Sequence, residues 1–114
     1  MPQVICRHHK ITLPESFGLA VQMVVADFVS TEEHPVPREE VDWLPQANEP
    51  GSLCPSFFLE LKLVGHLDRK KKLDRAGAFE LKRLIAGLPD FPNKVDKNEP
   101  FLWIEFVDPD GPYV

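Results

Sequence analysis

The chain has 114 residues, of which 43% are hydrophobic and 27% are charged, and this predicts a single globular domain that buries a core without disulfides or a metal. Its net charge of −5 argues against a typical nucleic-acid-binding module, because such modules are usually strongly basic. No apolar run approaches the roughly 20 residues that span a bilayer. Met1-Pro2-Gln3 begins no signal-peptide pattern, so we predict a cytoplasmic location.

The N-terminal part contains one predicted strand, followed by a segment whose pattern fits either a helix or a strand. Residues 3–13 predict a strand that a polar quartet interrupts. A capping-box pattern at residues 12–15 precedes a run in which apolar side chains recur with helical spacing from Phe17 to Phe28. Valines in residues 15–29 are poor helix formers, and alternating apolar positions also permit a strand. Both interpretations remain open.

An acidic, proline-rich connection follows at about residues 30–53. Within it, residues 37–44 predict two helical turns that end before Pro45. Acidic side chains beside a tryptophan can steer a protein onto a basic partner. We therefore predict a second partner-binding surface here, made of Glu39, Glu40, Asp42 and Trp43.

The clearest pattern in the chain is the alternation at residues 56–64. Phe57, Leu59, Leu61 and Leu63 fall on one face of an extended segment, and the other face is mixed. This period of two is typical of a half-buried strand. We expect this strand to be the scaffold on which the next helix packs.

A single amphipathic helix is predicted from Asp68, as its N-cap, to about Ala86, with Gly87 just beyond its end. The face toward the core is predicted to consist of Leu73, Gly77, Leu81, Leu84, Ile85 and Leu88. The opposite stripe combines an aromatic ring with positive charges, which suits an acidic protein surface with a hydrophobic anchor. We predict that it is the main partner-binding surface, with the residues Lys72, Arg75, Phe79, Lys82 and Arg83.

Residues 101–107 are almost continuously apolar and predict a last strand that is covered on both faces, followed by a turn at residues 108–111. Strands and helices in loose alternation predict an α+β fold. We expect one domain over residues 1–114, with a three- or four-stranded, largely antiparallel sheet packed against one or two helices.

Metal and catalytic patterns are weak. Cys6, His8 and His9 could meet Cys54, His34 or His66 in the fold, but structural zinc sites normally use two close pairs of ligands. Acidic pairs near His34 could form an acid–base pair, although acids in a proline-rich loop more often form a solvated face. We therefore predict no cofactor, no metal site and no catalytic residue.

The favoured function is a non-enzymatic protein-binding domain that acts as an inhibitor, an immunity-type protein or an adaptor of a larger partner. One alternative is a small nucleic-acid-associated protein that uses the basic 69–83 helix. The other is a small metal-dependent enzyme built on His8, His9, Cys54 and Glu39. The oligomeric state is left open.

Overall fold

The computed structural model describes residues 2–9, 11–47 and 56–107. Cys54 and the turn predicted at residues 108–111 lie outside these ranges. The elements in chain order are β1 (Gln3–His8), α1 (Glu15–Val29), a 3-10 turn (Arg38–Glu40), β2 (Asp42–Ala47), β3 (Phe57–Val64), α2 (Leu67–Lys72), α3 (Arg75–Ala86) and β4 (Leu102–Val107). The predicted α+β class is confirmed. None of the helices described is long and apolar enough to cross a membrane.

The four strands form one sheet in the order β2-β1-β3-β4. The sheet is mixed, because β1 is parallel to β2 and β3 is parallel to β4, whereas the central pair of β1 and β3 is antiparallel. Each parallel pair is joined by a crossover that contains a helix, as parallel neighbours require. The chain therefore consists of two β-α-β units set side by side, and the sheet has more parallel pairing than we expected.

The helix α1 resolves the open choice for residues 15–29. Phe17, Val21, Val25 and Val29 are buried on one face of it, and this burial outweighs the weak helix preference of valine. The predicted capping box is wrong. Pro14 precedes the first turn, and no side chain caps the helix.

The connection predicted at residues 30–53 contains a strand that the sequence did not reveal. The two helical turns predicted at residues 37–44 are wrong, because only the short 3-10 turn forms before β2 begins. β2 is an edge strand, so it tolerates Pro45, which has no backbone N–H to donate. Trp43 lies against α1 so closely that a Cβ on Gly18 would come within 2.5 Å of the indole Nε1.

The alternation predicted for β3 is confirmed. Its four side chains Phe57, Leu59, Leu61 and Leu63 are at most 3% exposed. Leu81 and Ile85 of α3 belong to the same buried cluster, together with the buried face of α1, whereas Leu84, predicted on the same face, is 38% exposed. Both long helices thus cover one face of the sheet, and no other described element covers the second face, which we call the open face.

The position of β4 differs from the prediction. It is the other edge strand, and its side chains alternate between partly buried and exposed rather than being covered on both faces. Trp103 is 60% exposed on the open face. On that face Arg7 donates to Glu60 at 2.8 Å.

The helix predicted at residues 68–86 is broken into α2 and α3. Asp68 lies inside α2, and Asp74 is the N-cap of α3, where its carboxylate accepts from the N–H of Gly77 at 2.8 Å. A Cβ on Gly77 would overlap the carbonyl oxygen of Lys72. The break separates the two ends of the predicted basic stripe.

Candidate functional site

One end of the sheet brings the start of β1 next to the C-terminal end of β3. Pro2 is buried there, and its carbonyl accepts from the N–H of Asp42 at 3.0 Å. Continuing the strand register by one residue places Pro2 between Val41 and Leu63, each only 1% exposed. Because side chains alternate along a strand, Pro2 shares the helix-covered face with Val4. The first residue of β1 is therefore preceded by a proline that lies against the core.

Arg69 places a buried positive charge at the same end, because α2 follows directly after β3. Its side chain is 7% exposed, and its Nη2 donates to the carbonyl of His34 at 3.1 Å. Its Nε is buried and has no hydrogen-bond partner among the residues described. Burial lowers the pKa of Arg69, while the charges of Asp68 and Glu40 act in the opposite direction. The guanidinium remains a cation because its ordinary pKa is so high.

Asp68 organises the polar side chains around this cation. Its Oδ2 lies 3.0 Å from Nδ1 of His34, and its carboxylate also accepts from the hydroxyl of Thr31. The hydrogen bond from His34, followed by that from Thr31, holds the pKa of Asp68 well below its usual range. The carboxylate in turn orients the imidazole of His34, as a carboxylate partner commonly does for a histidine.

A second histidine stacks on the first. The ring centroids of His34 and His66 are 3.7 Å apart, and their planes differ by 8°. Partial loss of solvent, followed by the positive charges of His34 and Arg69, lowers the pKa of His66 against the opposing charge of Asp68. Near neutral pH the ring of His66 is therefore a neutral imidazole, which can accept a proton or pass one on.

The same cluster has the composition of a metal site. Glu33, His34 and Asp68 each offer a ligand atom, and these atoms lie within 4.8 Å of one another. Asp68 already accepts from two side chains, however, and the buried cation of Arg69 opposes a second positive charge nearby. Both features argue against a metal ion at this cluster.

The zinc alternative around Cys6 gains no support from the residues described. Cys6 is fully buried in the core, and burial raises the pKa of its thiol to about 12. A metal needs the thiolate form of a cysteine, which this environment disfavours. His8 lies two residues further along β1, at the opposite end of the strand from Pro2.

The predicted basic surface is only partly assembled. Arg75, Phe79, Lys82 and Arg83 all lie on α3, and Phe79 is 59% exposed. Lys72 lies on α2, and its side chain extends toward the C-terminal end of α1. It donates to the carbonyl of Ser30 at 3.0 Å, and its ammonium lies 5.6 Å from the centroid of the Phe28 ring. Of the five residues predicted to form one stripe on a continuous helix, only the four on α3 therefore lie on the same helix.

The predicted acidic surface is divided between two elements. Glu39 and Glu40 are exposed on the 3-10 turn, and Asp42 begins β2. Trp43 is half-buried, with its ring edge-on to Phe17 at 5.8 Å between centroids. Trp43 therefore packs mainly against the core and presents only part of its ring to solvent. The carboxylates of this group lie next to the end of the sheet that holds Pro2.

Sequence reasoning missed the residues at this end. Arg69 stands first in a run of four basic residues, which we interpreted as part of an exposed basic surface on one long helix. Its burial follows from α2 being a short separate helix that turns back over the end of the sheet. Pro2 had one usable signal, since it stands directly before a predicted strand.

No protein-family model matches the chain, and no curated protein matches it. Solved structures do share its fold. A native fused 4-OT has a TM-score of 0.58 and 13% identity over 93% of this chain and 87% of that one. The wild-type F6 fused 4-OT, described as an asymmetric trimer, has a TM-score of 0.59 and 17% identity over 93% and 86%. A macrophage migration inhibitory factor-like protein from Entamoeba histolytica has a TM-score of 0.56 and 10% identity over 94% and 87%.

These neighbours overturn the predicted function. Proteins of the 4-OT and MIF-like group are tautomerases and therefore enzymes, whereas we had expected a non-enzymatic inhibitor, immunity-type protein or adaptor. At such low identity the likeness establishes the fold. What this chain does with that fold has to be argued from its own residues.

Proposed function

We propose that this protein is a tautomerase-like enzyme that moves a proton between carbon and oxygen of a small carbonyl compound. The observation that carries the proposal is that Pro2 is buried at the same end of the sheet as the buried cation of Arg69, in a fold shared with 4-OT proteins. Tautomerisation needs a base to remove a proton from carbon and a positive group to stabilise the enolate. This end of the sheet holds candidates for both.

The base in this proposal is the nitrogen of Pro2. As long as Met1 precedes it, that nitrogen is a tertiary amide and has no basic lone pair. Removal of Met1 would convert it into a secondary amine. An α-amino group titrates at about 7.7–8.0, close enough to neutrality for a general base. Burial and a nearby cation both favour the neutral, proton-accepting form of an amine.

Arg69 supplies the positive charge. As the proton leaves carbon, negative charge develops on the carbonyl oxygen, and a fixed cation in a poorly solvated site stabilises it without reorganisation. Arg69 is held for this by its bond to the His34 carbonyl and by the charges of Asp68 and Glu40. We assign it an electrostatic role. His66, kept neutral, is available to pass the proton taken from carbon on to the enolate oxygen, which completes the tautomerisation.

The test is exchange of the α-protons of an aryl 2-oxo acid such as phenylpyruvate for deuterium, followed by NMR. Intact mass first establishes whether Met1 is removed. A protein with Gly-Ser added before Pro2 then has an amide where the amine should be, and its rate should fall about 10²- to 10⁴-fold, the usual contribution of a general base. A Pro2→Ala variant, which keeps an amine, should retain part of the activity.

Two results would reject this assignment. One is a purified protein that retains Met1 and still exchanges the protons. The other is full activity in the extended protein, with unchanged circular dichroism and assembly state. In either case the base would have to be another group, with His66 tested next by His66→Gln.

We also propose that copies of the chain assemble through the open face of the sheet. Trp103, Val107 and Leu44 are between 38% and 60% exposed on that face, and exposed apolar patches of this kind mark interaction sites. One neighbour is described as a trimer. Trp103→Asp should lower the mass measured by light scattering, whereas Leu67→Asp, at a 69% exposed position on α2, should leave it unchanged. A monomeric native protein would contradict the proposal.

A further inference from the structure

A groove runs between α3 and the segment that leads into β4, away from Pro2. It consists of two adjoining hollows of about 410 and 660 Å³, which share Phe79, Lys82 and Asn98. Leu102 at its floor pairs with Leu59, whereas Pro2 lies at the level of Leu63 on the same strand. The groove is therefore separate from the end of the sheet that holds Pro2. Its volumes are within the range of about 300–1,000 Å³ that small-molecule sites occupy.

The charge of the groove contrasts with that of the protein. The chain has 18 acidic and 13 basic residues, yet among the residues that the structure describes, those lining both hollows include basic side chains and no acidic ones. Arg83 is neutralised by Glu80, to which it donates at 3.0 and 2.5 Å. Within the described part of the chain, Arg75, Lys82 and Lys97 have no such carboxylate partner. Three positive charges thus remain available to an anion.

The walls of the groove are apolar and aromatic. Phe79 is 59% exposed above a floor formed by Phe101 and Leu102. The ammonium of Lys82 lies 5.2 Å from the centroid of the Phe101 ring. A flat ring could therefore contact Phe79 on one side while its charged end reached Lys82 or Arg75. Aromatic pairs of this kind contribute beyond the area that they bury.

We propose that this groove binds a free aromatic carboxylate, with the ring against Phe79 and the carboxylate at Lys82 and Arg75. The size of the groove favours a small ligand. The net charge of −5 repels a polyanion such as a nucleic acid much more than it repels a single carboxylate. The proposal is independent of the proton-transfer function, because it concerns a different place and requires no reaction.

The test is a titration of ¹⁵N-labelled protein with 2-naphthoate, which carries no proton that can tautomerise. We expect the amide signals of residues 75–82 and 98–102 to shift. The neutral analogue 2-naphthylmethanol should bind more weakly. The double change Arg75→Gln/Lys82→Gln should weaken naphthoate binding roughly tenfold, since each exposed ion pair contributes a factor of up to about five. Phe79→Ala should weaken the binding of both 2-naphthoate and 2-naphthylmethanol.

Lys71→Gln is the matched control, because Lys71 is an exposed base on α2 that does not line the groove. Its effect should be small. The proposal fails if naphthoate causes no shifts at millimolar concentration, if the alcohol binds equally well, or if Lys71→Gln weakens binding as much as the double change. Shifts confined to the residues around Pro2 and Arg69 would also refute it, and would show that the carboxylate binds at the other end of the sheet.

Discussion

Replacing Gly77 with alanine tests whether the break between α2 and α3 is built into the sequence. In an unobstructed helix this change would stabilise the protein by up to about 1 kcal/mol, because alanine is the better helix former. Here the new Cβ would overlap the carbonyl oxygen of Lys72, which belongs to the backbone and cannot rotate away as a side chain can. Overpacking typically costs about 1–3 kcal/mol. We expect a net destabilisation of about 1–2 kcal/mol.

The assay is urea unfolding followed by circular dichroism, with Gly87→Ala as the control. At Gly87 the nearest atom to an added Cβ is 3.4 Å away and φ is −83°, so alanine fits there. The control should therefore be neutral or slightly stabilising. If Gly77→Ala is as stable as Gly87→Ala, the helix can continue through residues 73 and 74, and our account of how Arg69 becomes buried is wrong.

Three further predictions concern single side chains. Asp74→Ala removes the N-cap of α3 and should lower the free energy of unfolding by about 1 kcal/mol, measured in urea. The depressed pKa of Asp68 stabilises the fold above the unfolded value of about 3.8, and this contribution is lost as the pH falls below it. Asp68→Asn should therefore flatten the loss of stability in acid. The thiol of Cys6, whose pKa is raised from 9.0 to about 12, should be inert to a thiol reagent at pH 8 in a Cys54→Ser background until the protein unfolds. Because the unfolded thiol ionises first, stability should fall as the pH rises above 9.

The candidate site shows where prediction from one sequence stops. The basic run at residues 69–72 has the composition of a solvated helix face, and three of its four residues are exposed. Arg69 alone is buried, and it can be buried only because α2 is short and begins directly after β3. His34 and Asp68 are 34 residues apart in the chain, so their hydrogen bond depends on where the two crossovers end. No local sequence pattern predicts that these two side chains come within hydrogen-bonding distance.

The sequence by itself determined the α+β class, the alternation of β3 and the burial of Leu81 and Ile85 on α3, because each of these follows from the periodic pattern within one segment. The tertiary structure decided which strands lie at the edges and which ends meet. β2 becomes a strand by pairing with β1, despite Pro45, and β4 is half-exposed because it has a neighbour on one side only. Likewise Pro2 and Arg69 come to lie at the same end of the sheet only because β1 and β3 pair in opposite directions. Long-range pairing supplies that information, and it is the reason that a chain without a catalytic motif still presents a candidate site.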